Sequence, residues 1–248
     1  MTVIVKVGTS LILDNEEKIN KIFISELCRQ VWILRKNGYS PIIVTSGAVH
    51  SDQETKRSKN LRAAVGQPRL MSYYLGYLGK YDIVTSQHLL IDEDLVSGRI
   101  RVTEKTISEA LSEGIVPVIN GNDPVDDEET NAMEHSADND KLFMLVCKLV
   151  KPSYAVIGFD QEGIMDNNGK IVRVVNKGNF NDVLSYAKGG SEVGHGDNGM
   201  KTKIEVLNEL ANAGIKSILA PGKTNNFLIK AINRLRGGKK DFGTIFLP

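Results

Sequence analysis

The sequence predicts an α/β protein: a three-layer sandwich whose mostly parallel central sheet, of about eight strands, is covered by helices on both faces. Three observations support this. Short apolar runs of strand length recur along the 248 residues. Most are separated by segments with helical periodicity, and no low-complexity linker divides the chain. Because parallel strands are joined by crossovers that are usually helices, this alternation is typical of a parallel sheet.

The predicted strands are short, continuous and rich in valine and isoleucine, as expected for strands buried on both faces. They are residues 3–7, 42–44, 83–84, 115–119, 154–157, 218–220 and 245–247. A turn signal, Asp166-Asn167-Asn168-Gly169, predicts a hairpin within residues 160–175. We interpret the hairpin as a boundary between two lobes of one domain, residues 1–150 and 151–248.

The clearest predicted helix covers residues 18–36, where apolar side chains recur at helical spacing and Asn37-Gly38 provides a stop signal. The other predicted helices are residues 61–78, 103–113, 138–149, 200–213 and 226–235.

Composition restricts the function classes. The 31 Lys+Arg and 30 Asp+Glu residues give a formal charge of +1, so no general attraction to nucleic acid or to a membrane surface is expected. Cys28 and Cys147 lack partners at metal-ligand spacing and are predicted to be buried free thiols, which suits a reducing cytoplasm. We find no signal-peptide pattern and no apolar run of membrane-spanning length, and expect a cytoplasmic protein.

Two small glycine-containing loops follow predicted strands: Lys6-Val7-Gly8-Thr9-Ser10 and Thr45-Ser46-Gly47-Ala48. Either alone could be a tight turn, and neither has the residue order of a P-loop or a dinucleotide fingerprint. Strand carboxyl ends are where α/β sheets bind ligands, so the two loops together predict a binding site.

A third loop, Ile119-Asn120-Gly121-Asn122-Asp123, leads into an acidic stretch that ends in Asp138-Asn139-Asp140. The spacing of a calcium-binding loop is missing, and we interpret residues 126–129 as a solvated loop. Asp138 could simply cap the following helix, whereas Asp140 could reach into the site.

A fourth segment, residues 194–203, is dense in glycine and ends in Met200-Lys201-Thr202-Lys203 at the start of a helix. Free amides and lysines at a helix N-terminus favour an anion. The alternative is a mobile surface loop with solvated lysines.

The combination resembles the amino acid kinase family, and within it the glutamate 5-kinase branch. The resemblance extends over essentially the whole chain. Its motifs are Lys6-Val7-Gly8-Thr9-Ser10, Thr45-Ser46-Gly47-Ala48-Val49, Ala64-Val65-Gly66-Gln67-Pro68-Arg69-Leu70-Met71, Val116-Pro117-Val118-Ile119-Asn120 with Asn122-Asp123, Asp138-Asn139-Asp140, Met200-Lys201-Thr202-Lys203 and Gly243-Thr244-Ile245-Phe246.

The resemblance implies the amino acid kinase fold and transfer of a phosphoryl group from ATP, with Mg²⁺, to the side-chain carboxylate of glutamate, the first step of proline biosynthesis. It assigns catalytic roles to Lys6, Lys203 and Asp140. It assigns substrate binding to Ser46, Gly47, Ala48, Asp123 and Asn139, and nucleotide binding to Gly8, Thr9, Asp160, Gly196, Gly199 and Met200. No metal ligand is assigned.

The sequence also departs from the family pattern. Gly121 stands where a glutamate is usual, Phe159 replaces a hydroxyl residue, Pro221 replaces a small residue, and residues 194–200 are longer and contain Asp197. Two alternatives therefore stay open: a related kinase with another carboxylate substrate, and an inactive amino-acid-binding regulator.

The resemblance further implies a homodimer or homotetramer and a glutamyl phosphate reductase as partner. Many members of the family carry a small C-terminal RNA-binding-like (PUA) domain, but because this sequence stops directly after its last predicted strand, we expect no such domain here.

Overall fold

The computed structural model describes residues 1–96, 98–125, 139–187 and 197–248, except for the side chains of residues 197 and 198. The predicted roles of Asp138 and Gly196 lie outside these residues, as do residues 194 and 195. The strands are β1 (Thr2–Val7), β2 (Ser40–Val44), β3 (Thr85–Leu90), β4 (Val116–Gly121), β5 (Tyr154–Phe159), β6 (Ile164–Met165), β7 (Ile171–Val172), β8 (Val174–Val175), β9 (Lys216–Pro221) and β10 (Thr244–Phe246).

Helices alternate with these strands, as the sequence predicts. They are α1 (Thr9–Ile12), α2 (Lys21–Lys36), α3 (Lys59–Gly79), α4 (Glu93–Val96), α5 (Ile100–Ser112), α6 (Asn139–Val150), α7 (Phe180–Tyr186), α8 (Asp197–Asn212) and α9 (Phe227–Leu235), with short 3-10 turns at Val49–Ser51 and Asp123–Val125. Helix α2 begins three residues later than predicted because Asn20 caps it, its side chain accepting a hydrogen bond from Phe23 N at 3.0 Å.

Eight strands form one sheet in the order β3-β4-β2-β1-β5-β9-β10-β8. Only β10 is antiparallel to a neighbour, β9, and the other pairs are parallel. This confirms the predicted mostly parallel sheet. The predicted hairpin is also confirmed: β6 and β7 pair antiparallel, and Asp166 Oδ1 accepts from the amides of Asn168 and Lys170 at the turn.

One strand is misplaced by the sequence prediction. Residues 83–84 precede β3, which runs from Thr85 to Leu90. As an edge strand, β3 pairs only with β4 and has only Leu90 fully buried. An edge strand therefore lacks the continuous apolar run by which the central strands were recognised.

The sheet separates two apolar cores. Val3, Val5 and Val7 of β1 face the core that includes α2, α3 and α9, whereas Ile4 faces the core that includes α6 and α8. Because side chains alternate along a strand, Lys6 shares the face of Ile4. This alternation directs Lys6 toward α6 and α8.

The two cysteines are free and buried, as predicted. Burial raises the pKa of Cys28 to about 12 and that of Cys147 well above its usual value. No described helix combines the length and the apolar character needed to cross a membrane.

Candidate active site

Three charged side chains meet where β1, α6 and α8 converge. Asp140, the second residue of α6, has its Oδ1 2.7 Å from Lys6 Nζ and its Oδ2 3.0 Å from Lys203 Nζ. One carboxylate thus bridges two ammonium groups, and the cluster keeps a net positive charge. These are the three residues to which the sequence assigned a catalytic role.

The cluster is largely shielded from water. The side chains of Lys6 and Asp140 are 6% and 3% exposed, whereas that of Lys203 is 19% exposed. Burial alone would raise the pKa of Asp140, but the charges of Lys6 and Lys203 and their hydrogen bonds together outweigh it and hold this pKa below its usual value. Asp140 is therefore ionised at neutral pH and keeps both lysines in place.

Glycine backbone borders both lysines. A Cβ placed on Gly8 would lie 3.5 Å from Lys6 Nζ, and one placed on Gly199 would lie 3.7 Å from Lys203 Nζ. Lys203 also donates to the carbonyl oxygen of Gly199 at 3.1 Å. Peptide groups and cations thus occur together, as is typical of phosphate-binding sites.

The loop after β2 contacts the charged cluster through the residue next to Asp140. Asn139 Nδ2 donates to Ser46 Oγ at 2.9 Å. Asn139 Oδ1 is buried and has no hydrogen-bond partner among the described residues. The adjacent residues Asn139 and Asp140 of α6 therefore connect the loop at Ser46 with the two lysines. The Asn139 side-chain oxygen remains able to accept a hydrogen bond.

Gly47 has a structural reason to be glycine. Its φ is +93°, and a Cβ would lie 2.8 Å from Ile12 Cγ2. The following Ala48 is only 2% exposed. The Ser46-Gly47-Ala48 turn therefore packs closely against Ile12 of α1.

The loop after β4 contains Asp123, which lies half-buried in the 3-10 turn Asp123–Val125. Its preceding residues are held by a side chain to which the sequence analysis gave no role: Gln67 of α3 donates to the Gly121 carbonyl oxygen at 2.8 Å. Gln67 also accepts from Asn120 Nδ2 at 3.2 Å. The sequence feature that could have indicated this role is that Gln67 is a polar residue on the apolar face of the predicted helix 61–78.

The remaining predicted nucleotide residues are less closely tied to the cluster. Thr9 begins α1, and Asp160 is exposed directly after β5. Met200 packs against the core on the α6 and α8 side of the sheet. Within the described ranges, no group of three His, Cys, Asp or Glu side chains could hold a metal ion.

Comparison with known proteins identifies the arrangement. A model of the amino acid kinase family matches residues 1–221. The chain belongs to this family. The glutamate 5-kinase of Caldanaerobacter subterraneus is 36% identical, and the match covers 100% of this chain and 68% of the relative. The glutamate 5-kinase of Vibrio campbellii is 32% identical, with 100% of this chain and 66% of that protein covered.

Two solved structures share the fold at much lower identity. Carbamate kinase from Giardia lamblia bound to AMP-PNP has a TM-score of 0.68 and 15% identity, covering 99% of this chain and 98% of that one. UMP kinase from Ureaplasma parvum has a TM-score of 0.62 and 14% identity, covering 100% and 96%. These likenesses confirm the amino acid kinase fold.

Proposed function

We propose that the chain transfers the γ-phosphoryl group of ATP to the side-chain carboxylate of L-glutamate, giving L-glutamyl 5-phosphate, the first step of proline biosynthesis. The observation that carries the proposal is the bridged Lys6–Asp140–Lys203 cluster. The full-length similarity to glutamate 5-kinases supports glutamate as the substrate.

The chemistry needs cations more than it needs a base. A side-chain carboxylate with an ordinary pKa of about 4.3 is already ionised at neutral pH and can attack phosphorus directly. Charge in the transition state spreads over the phosphoryl oxygens, so fixed cations stabilise it. Lys6 and Lys203 supply these cations, and Asp140 holds both of them in place. Mg²⁺ entering with ATP would supply further positive charge.

The amino acid is placed by the loops after β2 and β4. The Ser46 hydroxyl and the amides of Gly47 and Ala48 can donate to its α-carboxylate. Its ammonium group can be bound by the carboxylate of Asp123 and by Asn139 Oδ1, a buried acceptor without a partner among the described residues. This arrangement directs the side-chain carboxylate toward the lysines, beside Asn139.

The nucleotide approaches from the opposite side. Peptide groups at Gly8 and Gly199 border the two lysines, which supports their assignment to the phosphates. Thr9, Asp160, Gly196 and Met200 complete the proposed nucleotide set. The proposal therefore assigns the amino acid mainly to residues 1–150 and the nucleotide mainly to residues 151–248.

The proposal extends to the setting of the reaction. Acyl phosphates of glutamate cyclise readily, which favours direct transfer of the product to a glutamyl phosphate reductase. A homodimer or homotetramer in the cytoplasm is part of the same proposal.

A panel of amino acids tests the substrate. With ATP, Mg²⁺ and hydroxylamine, an acyl phosphate is trapped as a coloured hydroxamate. We expect glutamate to give more hydroxamate than aspartate or N-acetylglutamate. Greater turnover of either competitor would assign the chain to another carboxylate, as the glycine at position 121 led us to consider. Absence of product with all three would favour a binding protein.

A further inference from the structure

We propose that Gln67 is a positioning residue that sets the separation of the two loops assigned to glutamate, residues 45–48 and 120–123, and thereby the affinity for glutamate. The inference rests on the proposed function for its substrate. Its structural part is that the Gln67 amide joins the loop after β4 to a helix that other residues anchor to the loop after β2, and this stands on contacts within the described residues.

Gln67 lies inside the protein, 4% exposed, on the face of α3 that packs on the sheet. Its Nε2 donates to the Gly121 carbonyl oxygen at 2.8 Å, and its Oε1 accepts from Asn120 Nδ2 at 3.2 Å. Both ends of the amide are therefore committed to the end of β4. A buried amide with both ends bonded has a single preferred orientation.

The sheet itself stops joining the loops at this point. Strands β2 and β4 are in register through Val44 and Ile119, and the amide of Thr45 donates to the Ile119 carbonyl oxygen at 2.9 Å. Beyond this bond β2 ends and the chain continues into Ser46, whereas Asn120 and Gly121 of β4 pair with Leu89 and Leu90 of β3. Gln67 bonds the first two residues of β4 that lie beyond this last backbone bond.

The same helix is fixed to the other loop by independent contacts. A Cβ on Gly66 would lie 1.8 Å from the Ala48 carbonyl oxygen, so α3 approaches this turn as closely as only glycine allows. Tyr74 OH lies 2.8 Å from Thr45 Oγ1, within hydrogen-bond distance. Helix α3 is thus anchored to the loop after β2, and Gln67 extends from it to the loop after β4.

Helix α3 is also anchored to the loop after β2 through Arg69, which binds residues just beyond that loop. Arg69 donates to the Ser51 carbonyl oxygen and to Asp52 Oδ1, each at 3.2 Å. Ser51 Oγ in turn donates to the Gly47 carbonyl oxygen at 2.9 Å. Because the helix is held on this side at several points, a change at Gln67 should shift the loop after β4 relative to a fixed partner.

The test uses variants that separate the two hydrogen bonds. Gln67→Glu keeps the size of the side chain and an acceptor for Asn120, but it has no donor for Gly121 and places negative charge beside that carbonyl oxygen. Gln67→Met removes both bonds at similar volume. Gln87→Met is the matched control, because Gln87 lines the same small cavity from β3 but is exposed, and its side chain makes no hydrogen bond within the described parts of the chain.

For Gln67→Glu and Gln67→Met we expect the KM for glutamate to rise about tenfold or more, since small misplacements of binding groups have large effects. The KM for ATP should stay within about twofold, and kcat should change less than the glutamate KM. A general loss of structure would instead affect both substrates. An unchanged glutamate KM in a folded Gln67→Glu variant, or an equal rise for ATP, would overturn the inference.

Hydrogen exchange provides a readout that does not depend on catalysis. Amides in residues 119–123 should exchange faster in Gln67→Glu than in Gln87→Met, while those in residues 45–52 and in β5 and β9 stay unchanged. Equal exchange in the two variants would contradict the positioning role even if wild-type protein does not phosphorylate glutamate. Absence of glutamate turnover by wild type, in contrast, would contradict only the proposed function.

Discussion

At the scale of single residues, Asp140 explains how two lysines can be held close together in a mostly buried site. Its two oxygens contact Lys6 and Lys203 at 2.7 and 3.0 Å. Without a bridging carboxylate, two ammonium groups in a site of low polarity would repel each other and be poorly solvated. The bridge leaves one positive charge uncompensated, which an anionic transition state can use.

The first prediction separates Lys203 from another lysine of α8. In Lys203→Ala, kcat should fall by roughly a hundredfold or more, about 3 kcal/mol of transition-state stabilisation, with a smaller change in the KM for glutamate. Lys201→Ala is the control, because Lys201 is 45% exposed and pairs only loosely with Glu205 at 3.7 Å. Steady-state kinetics of both variants decide the matter. Near wild-type kcat in Lys203→Ala would remove the assigned role.

The second prediction concerns the pH dependence of stability. The pKa of Asp140 is lower in the folded protein than its ordinary value of about 3.9, so its ionised form contributes fully above about pH 4, and the contribution is lost as pH falls through the folded pKa. The difference in free energy of unfolding between wild type and Asp140→Asn should be constant from about pH 5 to 8 and shrink at lower pH.

Urea unfolding of both proteins at a series of pH values measures this difference. If the difference instead changed between pH 5 and 8, the pKa of Asp140 would be raised, and burial would dominate over the two lysines.

Part of the site could be predicted from residues alone. Lys6 stands near the end of a predicted strand, and Asp140 stands at the start of a predicted helix. Because side chains alternate between the two faces of β1, Lys6 points to the face of the sheet covered by α6. The link from Asn139 to Ser46 could not be predicted, because it joins residues 93 positions apart. Neither could the role of Gln67, whose partners lie 53 and 54 positions away along the chain.

At the scale of elements, the third prediction concerns the close packing of α3 against the turn at Ala48. Gly66→Ala would place a Cβ 1.8 Å from the Ala48 carbonyl oxygen, so the helix or the turn must shift. We expect a lower free energy of unfolding and weaker glutamate binding. Gly76→Ala on the same helix meets nothing within 4 Å and should be neutral or stabilising by up to about 1 kcal/mol.

Chemical unfolding and glutamate titration of the two alanine variants compare them directly. Equal stability of Gly66→Ala and Gly76→Ala would mean that the contact with Ala48 has no energetic importance.

The positions of strands and helices were predictable where a segment is buried on both faces or on one clear apolar face. Central strands such as β1 and β4 are continuous apolar runs, and helices such as α2 have one apolar face. Strand β3 was misplaced because its first four residues, Thr85 to His88, are polar and resemble a loop. Short strands such as β8 are defined by their pairing, in this case with β10. Pairing between distant segments is not encoded in a local pattern.

At the scale of the whole molecule, the sheet brings the charged groups together from both halves of the chain. Lys6 lies on β1 in the middle of the sheet order, and the cluster gathers a residue from each of α6 and α8 on one face. The two loops assigned to glutamate follow β2 and β4, which are adjacent to each other. The mostly parallel sheet therefore brings the charged cluster and the two loops proposed to bind glutamate to neighbouring strand ends.

The central claim is that a side-chain carboxylate oxygen of glutamate attacks the γ-phosphorus of ATP. Glutamate labelled with ¹⁸O in its side-chain carboxylate tests it directly. The new acyl phosphate bond would contain one labelled oxygen, and cyclisation of the product by attack of its amine on the carbonyl carbon would release phosphate that carries this oxygen. We predict that phosphorus NMR will show phosphate with one ¹⁸O, formed only when ATP and glutamate are both present. Unlabelled phosphate, or phosphate release that does not depend on glutamate, would contradict the account.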